Sequence, residues 1–314
     1  MSIALFDPSI ASANLGDQII LDAVHRELTD LLPLEQIISV PTQEVISRLS
    51  IQRAMQASHR LVGGTNLLSA KMRQYKQWQL TLRQSFNLQD VTLMGVGWWQ
   101  YQGKPDLYTR TILRNVLSRQ RLHSVRDEYT RQKLTSIGIE NVLNTGCPTM
   151  WRLTPEHCSR IAASKATAVV LTLTDYHPNL VNDIRLIDML KKHYATVYFW
   201  PQGSGDMSYF RSLQCDGIEI LRPSLAAYDE LLQSATSLDF VGTRLHGGVR
   251  AMQKLRRALI VTVDNRAKEI SADTSLPIAS RDDMDAVEHW ICHPSATKIT
   301  MNSTAISKWK EQLL

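Results

Sequence analysis

The chain has 314 residues and a mass of 35.6 kDa, which is long for one hydrophobic core and suits two domains. Hydrophobic residues make up 44% of it and charged residues 21%, a composition that excludes disorder as the main state. The formal net charge of +5 favours anionic partners, namely phosphorylated substrates, nucleic acid or an acidic membrane surface.

In the first half of the chain, strand patterns alternate with helix patterns. A strand at Ile3–Phe6 leads through a polar loop, with Asn14, Gly16 and Asp17, to a helix at Gln18–Leu32. The later predicted strands are Arg60–Val62, Val91–Gly95 and Leu122–Val125, and the later predicted helices are Thr42–Ser58, Thr109–Leu117 and Arg126–Ser136. This alternation predicts a parallel sheet of βα units.

Two segments of this half are rich in basic residues. Lys71–Arg83 also carries Trp78 and leucines, so an ordinary amphipathic helix is favoured over one that lies on a membrane surface. Thr109–Lys133 lacks interleaved aromatic residues and any known binding motif. A solvated basic face is therefore favoured over a nucleic-acid site.

The pattern restarts after a polar connection at residues 152–166. The predicted strands are Ala168–Thr172, Thr196–Trp200, Gly217–Leu221, Phe240–Val241 and Ala258–Val263, and the predicted helices are Leu180–His193, Ser224–Gln233 and Gly248–Lys254. Ser303–Leu314 fits an amphipathic helix with Ile306, Trp309 and Leu313 on one face. We therefore predict an α/β fold with two Rossmann-like domains, residues 1–158 and 159–302, followed by a C-terminal helix at 303–314.

The sequence gives no indication of export or membrane insertion. No apolar run approaches the ~20 residues that span a bilayer. The N-terminal segment lacks a basic start and carries Asp7, unlike a signal peptide. The cysteines show no metal-binding spacing and are typical of reduced thiols (Cys147, Cys158, Cys215 and Cys292). We therefore expect a cytoplasmic protein.

The densest group of chemically active residues follows the strand Phe240–Val241. Arg244 and His246 lie in the turn Gly242–Gly248, which opens a helix. The N–H groups of a helix start and a guanidinium together attract an anion, and a histidine can transfer protons near neutral pH. The structural alternative is a capped turn with a surface arginine and a packing histidine.

Other features are less specific by themselves. Arg126 stands at a strand-to-helix junction, where an exposed arginine in a first helical turn is the simpler interpretation. The turn at Gly63 and Gly64 is similar to a phosphate loop but lacks its full motif. Several carboxylates are isolated in the sequence, which disfavours metal catalysis (Asp7, Asp206 and Asp264).

Taken together and in this order, these pieces resemble the polysaccharide pyruvyl transferase family from residue 3 to about residue 270. The matching pieces are Asn14-x-Gly16-Asp17, Val62-Gly63-Gly64, Ser124-x-Arg126-Asp127 and Gly242-x-Arg244-Leu245-His246-Gly247. The resemblance implies transfer of a pyruvyl group from phosphoenolpyruvate to a sugar diol, with ketal formation and release of phosphate. It also implies two domains facing across a cleft, as in the GT-B glycosyltransferase fold.

The resemblance also implies roles for individual residues. Arg244 and His246 match donor-binding residues and are the catalytic candidates, and Arg126 matches a further donor-binding arginine. Arg266 stands where the family often has a lysine, with Lys268 as a rival. The residues implied for the acceptor side are Asn14, Asp17, Gly63 and Gly64. We expect Arg244 and Arg126 to lie close enough to share one anion.

The resemblance implies no metal and no cofactor, with phosphoenolpyruvate as donor substrate and a nucleotide-linked or lipid-linked sugar as acceptor. Nucleic acid is not expected, while contact with the inner membrane face and formation of a homo-oligomer stay open. Two other functions stay open as well. One is a glycosyltransferase that uses a nucleotide sugar, for which Gly203–Asp206 is the only hint of a nucleotide pocket. The other is a non-catalytic binder of anionic glycans.

Overall fold

The computed structural model describes residues 2–314, which divide into two compact units. Unit 1 contains the chain up to Ser12 together with Ile20–Trp151 and Met301–Leu314. Unit 2 contains Ala13–Ile19 and Arg152–Thr300.

Unit 1 is built on parallel strands. The strands β1 (Ser2–Asp7), β2 (Gln36–Pro41), β3 (His59–Gly63) and β4 (Thr92–Met94) pair in the order β2-β1-β3-β4. The strands β5 (His123–Val125) and β6 (Val142–Asn144) form a second parallel pair. The N–H of Gly95 donates to the carbonyl of Ser124, so the chain after β4 runs beside β5. The predicted parallel arrangement of this half is confirmed.

The helices of unit 1 connect these strands. They are α2 (Arg48–Gln56), α3 (Leu82–Ser85), α4 (Leu107–Val116), α5 (Glu128–Thr135), a 3₁₀ turn at Pro148–Met150 and the C-terminal α13 (Ser303–Glu311). The helix α1 (Leu15–Leu31) begins with residues of unit 2 and continues in unit 1. The predicted apolar face of α13 is confirmed, because Ile306, Trp309 and Leu313 are buried among side chains of unit 1.

Unit 2 contains one six-stranded parallel sheet. Its strands are β7 (Ala168–Thr172), β8 (Thr196–Phe199), β9 (Glu219–Ile220), β10 (Leu238–Gly242), β11 (Arg257–Thr262) and β12 (Ile278–Ser280). They are arranged β12-β11-β10-β7-β8-β9, which is the strand order of a Rossmann fold. The order reverses between β7 and β10. In folds of this kind, ligands bind where the order reverses, beyond the carboxyl ends of the two strands.

In unit 2 one helix precedes the first strand, and one helix follows each of the six strands. They are α6 (Pro155–Ser159), α7 (Leu180–His193), α8 (Asp206–Ser212), α9 (Leu225–Gln233), α10 (Leu245–Gln253), α11 (Asn265–Thr274) and α12 (Met284–Cys292). The helix α7 has the predicted bounds. Its N-cap Asn179 accepts the N–H of Asn182, and basic residues fill its last turn, as the helix dipole favours. No helix within residues 2–314 has the length and apolar character needed to cross a bilayer.

Two helix predictions in unit 1 are wrong, because contacts with residues distant in the sequence determine the shape of both segments. The predicted helix Thr42–Ser58 begins only at Arg48, because side-chain or backbone N–H groups of Gln79 and Gln84 occupy carbonyls between residues 42 and 46. The segment Lys71–Arg83 forms turns and irregular chain up to α3. Its Trp78 is buried edge-on against Phe6, so core packing rather than helix periodicity determines its shape.

Candidate functional site

The point of strand reversal in unit 2 is tied together by backbone hydrogen bonds. The N–H of Thr243 donates to the carbonyl of Thr172 at 2.8 Å, and the N–H of Arg244 donates to the Thr172 hydroxyl at 3.2 Å. The end of β7 therefore holds the chain that leaves β10. This places Arg244 at the position where the fold predicts a ligand.

The Arg244 side chain is buried and is held by two carboxylates. Its Nε donates to Oδ2 of Asp206 at 2.9 Å, and its Nη2 donates to Oδ1 of Asp206 and to Oδ1 of Asp175, the latter at 3.1 Å. Its Nη1 makes no hydrogen bond to any residue in the described chain. Asp206 therefore accepts two parallel hydrogen bonds from the Arg244 guanidinium, a bidentate geometry that fixes the plane of the guanidinium.

Asp206 is held by the backbone as well as by Arg244. Its Oδ2 accepts the N–H of Gln202 at 3.1 Å and the N–H of Gly203 at 2.7 Å, and its side chain has no solvent exposure. Burial raises the pKa of the Asp206 carboxyl above its ordinary value, and the hydrogen bonds and charge of Arg244 act in the opposite direction. Asp206 thus forms a rigid support for Arg244.

Tyr176 lies between the two candidate donor arginines of unit 2. Its ring centroid is 5.0 Å from Cζ of Arg244 and 5.5 Å from Cζ of Arg266. Arg266 also donates through Nη2 to the Tyr176 hydroxyl and through Nε to Oδ2 of Asp264 at 2.7 Å. The structure therefore brings the predicted residues Arg244 and Arg266 to one aromatic ring, while Lys268 is exposed on α11.

The helix α10 begins at Leu245, three residues before the predicted start at Gly248, with Arg244 as its N-cap. His246 is consequently a buried residue of the first helical turn. A Cβ atom on Gly248 would lie 2.1 Å from the side chain of Ile260 and 2.8 Å from that of Phe240. The glycine therefore lets the helix pack close to the sheet, and the first turn stays beside Arg244.

The predicted acceptor residue Asn14 is part of the same cluster. Its Oδ1 accepts the Nε2 of Gln202 at 2.9 Å and the N–H of Gly16 at 3.0 Å. The other side-chain atom of Gln202, Oε1, is buried without a hydrogen-bond partner among residues 2–314. Asp17 lies in the first turn of α1, where its negative charge suits the helix dipole.

In unit 1, Arg126 occupies the end of β5. It is buried, donates through Nη1 to Oδ1 of Asn66 at 2.5 Å, and donates through Nε to Oδ2 of Asp127 at 3.1 Å. A Cβ atom on Gly97 would lie 2.3 Å from the Arg126 Cζ, so that glycine makes room for the guanidinium. The simpler interpretation of an exposed arginine is wrong here, because Arg126 is enclosed by neighbouring loops.

Gly63 and Gly64 lie where β3 ends. Gly64 has a φ of +39°, and a Cβ atom on it would lie 2.1 Å from Cγ2 of Ile20. The N–H of Gly64 donates to the carbonyl of Met94. Backbone geometry alone thus requires glycine at position 64, and the role of both glycines in acceptor binding stays a prediction.

Two carboxylates that look isolated in the sequence are not isolated in the fold, since Asp206 pairs with Arg244 and Asp264 with Arg266. Sequence reasoning missed Asp175 and Tyr176 altogether. Their position directly beyond β7, a buried strand, was the signal that could have found them. The part of the chain that the structure describes contains no group of three or more His, Cys, Asp or Glu side chains placed to hold a metal ion.

Comparison with known families gives one match, to polysaccharide pyruvyl transferase, over residues 14–265. The chain belongs to the polysaccharide pyruvyl transferase family. The match includes Arg126, Arg244 and His246 and ends one residue before Arg266. Membership supports a role in the modification of polysaccharides. None of the curated proteins matches the chain.

Two UDP-GlcNAc 2-epimerases are among the solved structures similar to this chain. The UDP-GlcNAc 2-epimerase from Methanocaldococcus jannaschii is 12% identical with a TM-score of 0.53, over 100% of this chain and 98% of that one. The UDP-GlcNAc 2-epimerase from Neisseria meningitidis is 14% identical with a TM-score of 0.48, over 92% and 90% of the two chains. At such identities the likeness concerns the fold alone. The predicted α/β class with GT-B-like architecture is confirmed.

Proposed function

We propose that the protein transfers a pyruvyl group from phosphoenolpyruvate to a diol of a sugar in a polysaccharide or its precursor. The observation that carries this proposal is the pair of Arg244 and Arg266 on one aromatic ring at the strand reversal of unit 2, in a chain of this family. His246 lies two residues after Arg244, in the first turn of the helix that Arg244 caps. Phosphoenolpyruvate offers a carboxylate and a phosphate, and guanidinium groups bind both in fork geometry.

The proposed chemistry is a ketal formation that balances without a redox partner. A sugar hydroxyl oxygen bonds to C2 of the donor, the methylene carbon takes a proton, and the bond between C2 and the phosphate oxygen breaks. The second hydroxyl oxygen then bonds to C2. One hydroxyl proton is accounted for by the new methyl group and the other by the released phosphate.

Within this proposal, Arg244 and Arg266 bind the donor and His246 delivers the proton to the methylene carbon. The guanidinium groups neutralise the leaving phosphate, so the proposal includes neither a metal ion nor a cofactor. Arg126 is assigned to the donor, and Asn14, Asp17, Gly63 and Gly64 to the acceptor, on the family resemblance. We place the reaction in the cytoplasm as part of the same proposal.

His246→Gln provides the sharpest test, because glutamine keeps a hydrogen-bonding group but cannot shuttle a proton. Turnover, measured as phosphate release from phosphoenolpyruvate with a panel of sugar acceptors, should fall by about 10²–10⁴, with donor affinity little changed. Near-normal turnover, or a defect confined to donor affinity, would make His246 a binding residue only.

Variants of the donor arginines must be chosen so that they do not leave a buried ion-pair partner without its counter-charge. Arg244→Ala leaves the buried Asp206 carboxylate unpaired, so Arg244→Lys, which keeps the charge and loses the fork, is the better variant. Arg266→Gln should weaken phosphoenolpyruvate binding. Lys268→Gln, an equal loss of charge on the exposed side of the same helix α11, is its matched control. If Arg266→Gln and Lys268→Gln weaken phosphoenolpyruvate binding equally, Arg266 does not contact the donor.

The alternative function is that of a glycosyltransferase that uses a nucleotide sugar, and the assay must distinguish it from pyruvyl transfer. In the structure, Gly203 and Gly205 accommodate the ends of the Arg244 and Asp175 side chains, which a Cβ atom would meet within 2.2 Å and 2.0 Å. This explains the Gly-x-Gly-Asp segment without a nucleotide. Consumption of a nucleotide sugar in the absence of phosphoenolpyruvate would favour the alternative.

A further inference from the structure

One loop of unit 2 covers both candidate donor arginines. Residues 173–179 connect β7 to α7, and two consecutive side chains of this loop reach the site. The Asp175 carboxylate accepts Nη2 of Arg244, while the Tyr176 ring and hydroxyl contact Arg244 and Arg266. The loop therefore occupies donor groups that an anionic substrate would use.

The two carboxylates on Arg244 are held very differently. Asp206 is unexposed and accepts three backbone N–H groups besides the guanidinium, those of Gln202, Gly203 and Asp175. The Asp175 side chain is 40% exposed, and Arg244 is the only residue within 2–314 that hydrogen-bonds its carboxylate. The Asp175 carboxylate can therefore swing into solvent by side-chain rotation, whereas Asp206 cannot move without breaking backbone hydrogen bonds.

The charges of the cluster also need adjustment before an anion can bind. Two guanidinium groups face three carboxylates, those of Asp175, Asp206 and Asp264. Each carboxylate beside the guanidinium groups repels an incoming phosphate or carboxylate and so lowers its affinity. Departure of the exposed carboxylate, that of Asp175, lowers this repulsion at the smallest cost.

We propose that Asp175 is an internal competitor that sets the affinity of the site for its anionic substrate. Its carboxylate holds the Nη2 of Arg244 in the free protein and gives it up to a carboxylate or phosphate of the ligand. The inference rests on the proposed function for the identity of the donor. The competition itself applies to any phosphate-bearing or carboxylate-bearing ligand of Arg244.

Removing the Asp175 charge should raise the affinity for anionic ligands, whereas removing an ordinary binding residue lowers it. Asp175→Asn keeps the size of the side chain and removes the competing charge, so ligand binding no longer breaks an ion pair. Affinity for phosphoenolpyruvate and for inorganic phosphate should both rise by about threefold to tenfold. If Asp175 instead positions Arg244, the same variant weakens both ligands.

The experiment is calorimetric titration of the full chain with phosphoenolpyruvate and, separately, with inorganic phosphate. Asp216→Asn is the matched control, because Asp216 is exposed and precedes β9, at the amino end of the sheet. Thermal unfolding of each variant verifies that the fold is intact.

Tighter binding in Asp175→Asn with no change in Asp216→Asn supports the inference. Unchanged or weaker binding in Asp175→Asn, equal gains in both variants, or no binding of either anion by any of the proteins overturns it. Binding of phosphoenolpyruvate without turnover by the unaltered chain contradicts the proposed function alone. In that case the phosphate titrations still decide whether Asp175 competes.

Discussion

The buried pair of Asp206 and Arg244 makes the strongest prediction about stability. The Asp206 carboxylate accepts two N–H groups of the Arg244 guanidinium and three backbone N–H groups. In Asp206→Asn, a single side-chain oxygen replaces this carboxylate. The amide also points N–H groups at other donors. Of its two ion pairs, Arg244 keeps only the one with Asp175, whose side chain is 40% exposed.

The magnitude follows from burial. Asp206 is 0% exposed and the Arg244 side chain 6% exposed, so solvent does not screen the loss. Removing one partner of such a pair costs about 3–5 kcal/mol, and the lower end applies because Asp175 remains. For a unit of about 150 residues, a loss of about 3 kcal/mol lowers the melting temperature by roughly 6–12 °C.

Differential scanning calorimetry of the full chain measures this change. Asp264→Asn is the matched control, since Asp264 pairs with Arg266 at a partly exposed position and asparagine keeps the N-cap of α11. The Asp264→Asn variant should lose less than about 1 kcal/mol of unfolding free energy. The double variant Asp206→Asn with Arg244→Gln should lose less stability than Asp206→Asn alone, because no unpaired buried charge remains and the Asp175 carboxylate is 40% exposed to solvent. A melting temperature of Asp206→Asn within about 1 °C of the unaltered protein would refute the reasoning.

Two further predictions concern unit 1. Burial lowers the pKa of His123 to about 4, so the unfolded chain binds more protons between pH 6.5 and 4 and the native state loses up to about 3 kcal/mol as pH falls through that window. Urea unfolding at pH 7 and pH 4.5 measures this, and His123→Gln should show a flatter pH dependence; equal slopes would contradict it. Gly64→Ala adds a Cβ 2.1 Å from Ile20 at a φ of +39° and should lose at least about 2 kcal/mol, whereas Gly103→Ala, with nothing within 4 Å, should be neutral. Equal urea midpoints for the two alanine variants would show that the turn tolerates a side chain.

The sequence was most informative where one buried strand or one long helix carries its own pattern. Ala168–Leu171 is a short apolar run that follows Thr167 and ends at Thr172, and Ala168–Thr172 became β7 with the predicted bounds. Elements that depend on distant partners were missed. The strand β2 (Gln36–Pro41) is half-exposed, and α8 (Asp206–Ser212) begins at a carboxylate whose partner is Arg244. Local periodicity cannot predict either.

The candidate site divides in the same way. Arg244 and His246 stand close together in a glycine-flanked segment, so composition alone draws attention to them. The residues that hold Arg244 cannot be found in this way, because Asp206 lies 38 positions away along the chain and Asp175 lies 69 positions away. Only the pairing of β7 with both β8 and β10 brings them to Arg244.

The topology of unit 2 also explains why an arginine at this place needs so many partners. The strand order reverses between β7 and β10, and folds of this kind form their ligand crevice at such a point, here beyond Thr172 at the end of β7. A long flexible side chain in a crevice would sample many rotamers, and ordering it on binding would reduce affinity. Asp206 removes that freedom in advance with a bidentate hold, and Gly248 keeps the first turn of α10 close to the sheet. Asp206 therefore holds the Arg244 guanidinium in place for an anion to bind. The second carboxylate, that of Asp175, determines how strongly an anion must bind in order to displace it from Arg244.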